Sequence, residues 1–347
     1  MKDATLKILY AIQGTGNGHL ARATEIVPLL NKLGQTDVLV SGIQGDIQLP
    51  FPVKYKLYGL SFIFGKRGGV SIWQTIRRSR PFRLLRDILN LPVRDYDLVI
   101  CDFEPVTAWA CRLRKKACIG LSHQNAVLHA QAPKPKHSDL PGLFILKHYA
   151  PTTVRYGFHF KQLDDHNFTP VIRSTIRKTA PQQHGHYTVY LPAYSNAEIE
   201  HVLSMFPQYN WQVFSKHNQS DYHKGAIWFR PVSLESFTES FVNCTGILCT
   251  AGFETPAEAI YMGKKLCVIP MKKQYEQACN AEFLKQMGVR VLTNWHDSPE
   301  QLGRWLESDK PIQINYPDET GRILRNIVES PSESWAQLMT ASTKSGH

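Results

Sequence analysis

TAGFETPAEAIYMGKKLCVIPMKKQYEQACNAEFLKQMG, residues 250–288, decides how the rest of the chain is read. The apolar run GILCT (246–250) leads into it, and Ala251-Gly252 forms a small turn at its end. ETPAEAIYMG (254–263) has helical spacing and stops at Gly263, KLCVIP (265–270) reads as a second buried strand, and NAEFLKQMG (280–288) as a helix closed by Gly288. Strand, turn, helix, strand and helix in that order predict parallel strands joined by crossover helices. Glu258 lies one turn into the first helix, where its carboxylate can accept from two vicinal hydroxyls, as a ribose offers. The loop after Pro270 carries Gln274, Glu276 and Gln277, polar groups suited to sugar hydroxyls, and Asn280 opens the next helix.

The same rhythm continues upstream. HYTVYLPA (186–193) and WQVFS (211–215) are strands, and NAEIEHVLSMF (196–206) is a helix capped by Ser195 or Asn196. An earlier set begins with LKILYAI (6–12), a helix from about Leu20 to Leu33, and DVLVSG (37–42). DLVICD (97–102), a helix through Trp109 and Cys111, and ACIGLSH (117–123) complete it. Two α/β domains are expected, residues 1–165 and 186–330, with a polar linker at 166–185 and a tail at 331–347.

The 347 residues suit two domains, and 43% hydrophobic with 20% charged residues is the balance of a folded protein. No run of apolar residues is long enough for a membrane span. MKDATLKILYAIQG carries an acid and reaches glycine after a short apolar run, a strand start and not a signal peptide. The seven cysteines form no C-x-x-C pair. Cys101, Cys118, Cys244, Cys249 and Cys267 lie in or beside apolar runs, so buried thiols in a reducing, cytoplasmic compartment are expected.

The net charge of +11 is confined to one half. Residues 1–150 hold 21 Lys and Arg against 10 Asp and Glu, whereas residues 151–347 hold 19 of each. No acid occurs between Asp46 and Asp87. There YGLSFIFGKRGGVSIWQTIRRSRPFRLLRDILNL (58–91) mixes Phe62, Phe64, Trp73 and Phe82 with Arg77, Arg78, Arg80 and Arg83. Apolar groups beside basic ones suit a peripheral element on an anionic membrane surface, at its inner face. The alternative is an apolar core with a solvated arginine face. No nucleic-acid motif accompanies the charge, and no nucleic-acid partner is expected.

Gly14-Thr15-Gly16-Asn17-Gly18-His19 falls between the first strand and the first helix. It lacks the third glycine of a dinucleotide fingerprint and the Gly-Lys-Ser/Thr of a P-loop. His19 would stand at a helix start beside the crevice at the strands' carboxyl ends, where an imidazole can take a proton from a hydroxyl. Asp102, at the end of the 97–102 strand, could orient it, with Glu104 as the competitor for that role. His123 is a second base candidate, or else an acceptor-site or core histidine.

Residues 250–288 resemble the donor-binding signature of GT-B glycosyltransferases: a small Gly turn, a helix with Glu, a Gly-Lys and Pro spacing, a Gln-rich loop and an Asn-Ala helix. GTGNGH is similar to the N-terminal loop of MurG-type GlcNAc transferases and their UDP-glucuronosyltransferase-like relatives. SHQNA (122–126) resembles the His-Glu-Gln-Asn element of the MurG type, and CDFEP (101–105) the Asp-Phe-Glu-Pro turn of the UDP-glucuronosyltransferase-like branch. These blocks occur in order over about residues 6–290.

The resemblance implies a GT-B fold, two Rossmann-like α/β/α domains with a cleft between them. The nucleotide sugar would bind the second domain and the acceptor the first. Glu258 would hold the ribose, Gly252, Phe253 and Glu254 would lie near the phosphates, and Gln274, Glu276 and Gln277 would face the donor sugar. Gly16 and Gly18 would border the donor, Phe229 to Val232 would edge the base, and His123, Gln124 and Asn125 would face the acceptor. Retaining members carry a second glutamate eight positions before the ribose-binding one; Thr250 stands there, which favours inversion by a protein base. A UDP-sugar is the implied donor and a glycolipid or saccharide the acceptor, as in cell-envelope biosynthesis. Asp95-Tyr96-Asp97 matches the Asp-x-Asp string of metal-dependent transferases but reads as a polar strand entry. No metal and no other obligate cofactor is expected. The competing readings are a nucleotide-sugar epimerase or hydrolase of the same fold, and a non-catalytic sugar-nucleotide binder.

Overall fold

The computed structural model describes residues 5–42, 48–60, 80–135, 139–295 and 299–329, and in it the chain builds two seven-stranded sheets in succession. The first holds β1 (Lys7–Gln13), β2 (Gln35–Ser41), β3 (Tyr55–Leu57), β4 (Leu98–Asp102), β5 (Ile119–Leu121), β6 (Val154–Phe158) and β7 (Asn167–Phe168). They pair in the order β3-β2-β1-β4-β5-β6-β7, every pair parallel. Helices cover them: α1 (Asn17–Leu30), α2 (Pro81–Asn90), α3 (Pro105–Leu113), α4 (His123–Val127), α5 (Leu140–His148) and α6 (Ser174–Arg177). Ile8 through Ile12 are fully buried, which is why this central strand reads as an unbroken apolar run and not as an alternation.

The second sheet holds β8 (His186–Tyr190), β9 (Asn210–Ser215), β10 (Tyr222–Lys224), β11 (Ile227–Pro231), β12 (Gly246–Thr250), β13 (Lys265–Ile269) and β14 (Arg290–Val291). Its order is β10-β11-β9-β8-β12-β13-β14, parallel except for the antiparallel edge strand β10. Its helices are α7 (Asn196–Leu203), α8 (Leu234–Asn243), α9 (Glu254–Tyr261), α10 (Tyr275–Gln286) and α11 (Pro299–Ser308), followed by α12 (Thr320–Glu329). In each sheet the strand order reverses beside the first strand, between β1 and β4 and between β8 and β12. Ligands bind such sheets at the carboxyl ends of those strands.

Three details depart from the sequence reading. First, the first sheet takes its last strand at Asn167–Phe168, beyond the boundary expected at residue 165, and α12 returns to the first domain. Ile323, Leu324 and Ile327 of α12 share a core cluster with Leu20, Ile26 and Leu30 of α1, because a strongly one-sided helix needs an apolar partner. The expected tail at 331–347 lies outside the described residues.

Second, α1 starts at Asn17, not Leu20, so His19 sits inside its first turn. Gly16 stands at the cap with φ 96°, a left-handed conformation that glycine adopts without strain. Third, α10 starts at Tyr275, which puts Glu276 and Gln277 on a helix and not in a loop. No glycine or proline interrupts 274–287, and Glu276 in the first turn complements the helix dipole. Ser195 is the cap of α7, in a reciprocal capping box with Glu198. Cys101, Cys118, Cys244, Cys249 and Cys267 are buried and unpaired, as expected, and so are Cys111 and Cys279.

Candidate active site

The carboxyl ends of the two central strands open on one cavity between the domains. Eight residues singled out in the sequence line it: Gly16, Gly18, Gly252, Phe253, Glu254, Glu258, Gln274 and Gln277. Val232, at the end of the FRPV stretch, joins them. Arg173, Tyr190, Lys216 and Ser233 also line it, and no motif marks them in the sequence. They come from four separate segments, and only the folded sheet gathers them.

His19 is 13% exposed at its side chain, and its Nδ1 lies 2.8 Å from Oδ1 of the fully buried Asp102. Ionised Asp102 can accept but cannot donate, so Nδ1 carries the proton and Nε2 holds the lone pair. The Gln124 amide Nε2 donates toward that lone pair at 3.3 Å and also donates to Glu276 Oε2 at 2.9 Å. Burial disfavours the imidazolium, but the Asp102 charge and its hydrogen bond outweigh this, and His19 titrates above its ordinary value. Burial likewise pushes Asp102 up, and the Arg22 and His19 charges hold it below the usual carboxylate range. Arg22 gives Asp102 contacts of 2.6 and 2.8 Å from Nη2 and 3.1 Å from Nε, and its Nη1 donates to Glu254 across the cleft. Tyr10 Oη adds a 3.3 Å hydrogen bond to Asp102.

Glu104 does not reach His19. It caps α3, accepting from Val106 N at 2.7 Å and Thr107 N at 2.6 Å, and it receives the Ser41 hydroxyl at 2.6 Å. Both oxygens are committed and the residue is fully buried, so the proline after it marks a cap and not a second acid. Phe103, between the two carboxylates, has φ 54°, a strained conformation for a residue with a Cβ, and its ring stacks on Tyr149 at 4.9 Å.

The three residues expected to face the acceptor go different ways. His123 is 1% exposed; Nδ1 meets Phe158 O at 2.8 Å, Nε2 meets Asn280 Oδ1 at 2.7 Å, and the ring stacks on Phe253 at 3.9 Å. It is a core histidine at the domain junction, with no face left for an acceptor or for base work. Burial pushes it down to about 4, against both hydrogen bonds. The Asn125 amide is spent on Tyr156 O at 3.0 Å. Gln124 alone of the three reaches His19.

On the donor side, Glu258 is 3% exposed and already held: Oε1 accepts from Arg173 Nε at 2.7 Å and Oε2 from Arg173 Nη2 at 2.6 Å. Gln277 Oε1 accepts from Met271 N at 2.9 Å, which fixes the loop entering α10. A Cβ at Gly18 would stand 2.5 Å from Glu254 Oε2 and push that carboxylate aside.

Asp97 accepts from Lys7 N at 2.8 Å at the amino end of the sheet, opposite the cleft, so Asp95-Tyr96-Asp97 is a strand entry. Among the described residues no group of three or more His, Cys, Asp or Glu could hold a metal ion, and no helix is long and apolar enough to cross a membrane. Arg77 and Arg78 lie outside the described residues; Arg80 and Arg83 pack over the Tyr58 ring at 5.1 and 5.4 Å.

A family model described as glycosyl transferase family 1 matches residues 6–308. Among solved structures, a UDP-glucosyltransferase from Polygonum tinctorium is 12% identical with a TM-score of 0.57, over 99% of this chain and 95% of that one. The glycosyltransferase SnogD from Streptomyces nogalater is 13% identical with a TM-score of 0.53, over 97% and 100%. A UDP-N-acetylglucosamine 2-epimerase is 14% identical with a TM-score of 0.52, over 94% and 96%. At such identities the likeness shows a common fold, the GT-B arrangement of two Rossmann-like domains. A search of curated proteins finds no match.

Proposed function

The chain belongs to glycosyl transferase family 1, and from that premise we propose that it moves a hexose from a UDP-sugar to a hydroxyl of a glycolipid or saccharide acceptor, with inversion and without a metal. The observation that carries this reading is the His19–Asp102 pair, with His19 in the first turn of α1, where its neighbours Asn17, Gly18 and Ala21 line the same cavity as Glu254 and Thr255 at the α9 N-terminus. Nε2 of His19 takes the acceptor proton, the acceptor oxygen bonds to the anomeric carbon, and the bond from that carbon to the diphosphate breaks. The imidazolium so formed is stabilised by Asp102. The leaving diphosphate meets backbone N–H groups at the α9 N-terminus, with Lys216 as a nearby cation. The proton on His19 leaves to solvent.

Glu258 takes the ribose hydroxyls in place of Arg173. The Gly-Asn-Gly-His loop and the Asp-Phe-Glu-Pro turn favour the MurG-type and UDP-glucuronosyltransferase-like branch. The acceptor reaches the first domain from an anionic membrane surface. On α2, Phe82, Leu85 and Leu89 are 88, 52 and 54% exposed along one stripe, with Arg80, Arg83 and Arg86 beside it.

Thermal-shift measurement with UDP-hexoses tests the donor. A ligand at 100 times its Kd stabilises by about 2.7 kcal/mol, and no shift with any UDP-sugar overturns the reading. UDP release only when a lipid extract is added separates transfer from hydrolysis or epimerisation. Co-sedimentation with anionic vesicles at low salt tests the surface, and an Arg80→Gln, Arg83→Gln, Arg86→Gln variant should stay in the supernatant.

A further inference from the structure

We infer that Arg22 is a positioning residue that makes the His19 base depend on the docking of the two domains. The inference rests on His19 being the base. Arg22 follows His19 by one helical turn on α1, so both side chains leave the helix on the same side. Its side chain is 1% exposed and lies over the Phe158 ring at 5.6 Å. Three of its contacts go to Asp102, within 2.6–3.1 Å, and Nη2 stands 3.0 Å from His19 Nδ1. The remaining arm, Nη1, crosses to Glu254, the first residue of the donor-side helix α9.

A guanidinium suits this task because its planar fork serves two carboxylates at once. The consequence is a shared carboxylate: Asp102 divides its charge between the base and Arg22. How much remains for His19 depends on how strongly Glu254 draws on the same guanidinium. Glu254 belongs to the other domain, so its bond to Arg22 is made where the two domains meet. The charged and titratable groups facing His19 are Asp102 from β4, Arg22 from its own helix, Glu254 from α9 and Glu276 from α10, with Tyr10 behind Asp102 and His123 beyond Gln124. Among them Arg22 is the cation closest to the ring. It disfavours the imidazolium, while Asp102 and Glu254 favour it.

The opposite signs make the test sharp. The His19 ring in the full-length protein is titrated by NMR, its resonance assigned with His19→Ala. Arg22→Met should move the midpoint up by about one pH unit, since a cation at contact distance is lost and Asp102 is released to His19. Glu254→Gln leaves the buried Arg22–Asp102 pair intact and should move the midpoint down. This second variant keeps the test valid if Arg22→Met does not fold. An unmoved midpoint in Glu254→Gln, or an unmoved one in a folded Arg22→Met, overturns the coupling. The base reading is read separately, as UDP release by His19→Ala. Lost turnover there with unmoved midpoints removes the coupling alone, and retained turnover removes both.

Discussion

His19 and His123 stand in nearly the same setting and have opposite chemistry. Each sits at the start of a helix that follows a parallel strand of the first sheet; the second domain touches His123 directly and acts on His19 through the charge of Glu254. His19 has a carboxylate on one nitrogen and a cleft-side amide on the other, and it titrates high. His123 has a backbone carbonyl on one nitrogen, an asparagine oxygen on the other and Phe253 against its face, and it titrates low. The difference teaches that a cleft-edge position does not make a base. A paired carboxylate and a ring nitrogen left as an acceptor do.

The comparison breaks first at turnover. His19→Ala should lower UDP release in the presence of a lipid extract by about 10²–10⁴-fold with the Kd for UDP unchanged. Equal losses in His19→Ala and His123→Phe would erase the distinction. Donor binding is the control for it: Glu258→Ala should weaken UDP binding about tenfold or more by calorimetry, since hydrogen bonds to charged groups contribute about 1.5–3 kcal/mol. An unchanged Kd there leaves Glu258 as the partner of Arg173 alone.

The pH dependences should run in opposite directions. Turnover requires neutral His19, so it should rise with pH through a midpoint above the ordinary histidine value near 6.5. For stability, His19 binds its proton more tightly when folded. Its contribution is complete below about pH 6.5 and is lost as pH rises through the folded midpoint. His123 is the reverse. Its contribution is present above about pH 6.5 and is lost as pH falls toward about 4. Melting curves of His123→Phe between pH 6.5 and 4 should therefore fall less steeply than those of the wild type. The smallest effect is at pH 7.5, where His123→Phe keeps the stack on Phe253 and loses the one hydrogen bond that the neutral ring can donate. The melting temperature should drop by about 2–4 °C with turnover near the wild-type level.

Much of this was legible in the chain. The parallel strands announced themselves because burial on both faces leaves unbroken apolar runs, as in LKILYAI and GILCT. His19 and Asp102 were legible because each follows or ends such a strand. What stayed hidden depends on partners distant in sequence. The bond from Arg22 to Glu254 spans 232 positions and that from Arg173 to Glu258 spans 85, so neither has a local pattern. Glu104 carries the same charge as Asp102 two positions away, and only its backbone partners reveal a cap. His123 gave no sign of burial because its cover, Phe253 and Asn280, comes from the other domain.

The return of α12 to the first domain changes what a module is in this chain. The polypeptide crosses between domains twice, so the second domain is one continuous stretch and the first is not. A chimera that joins one relative's first half to another's second half at a single seam in the 169–185 segment would set a foreign α12 against α1, with Ile323, Leu324 and Ile327 facing Leu20, Ile26 and Leu30 cut for a different partner. Exchange of donor preference by recombination therefore needs two seams, the second before Thr320, and the last helix must travel with the domain it covers.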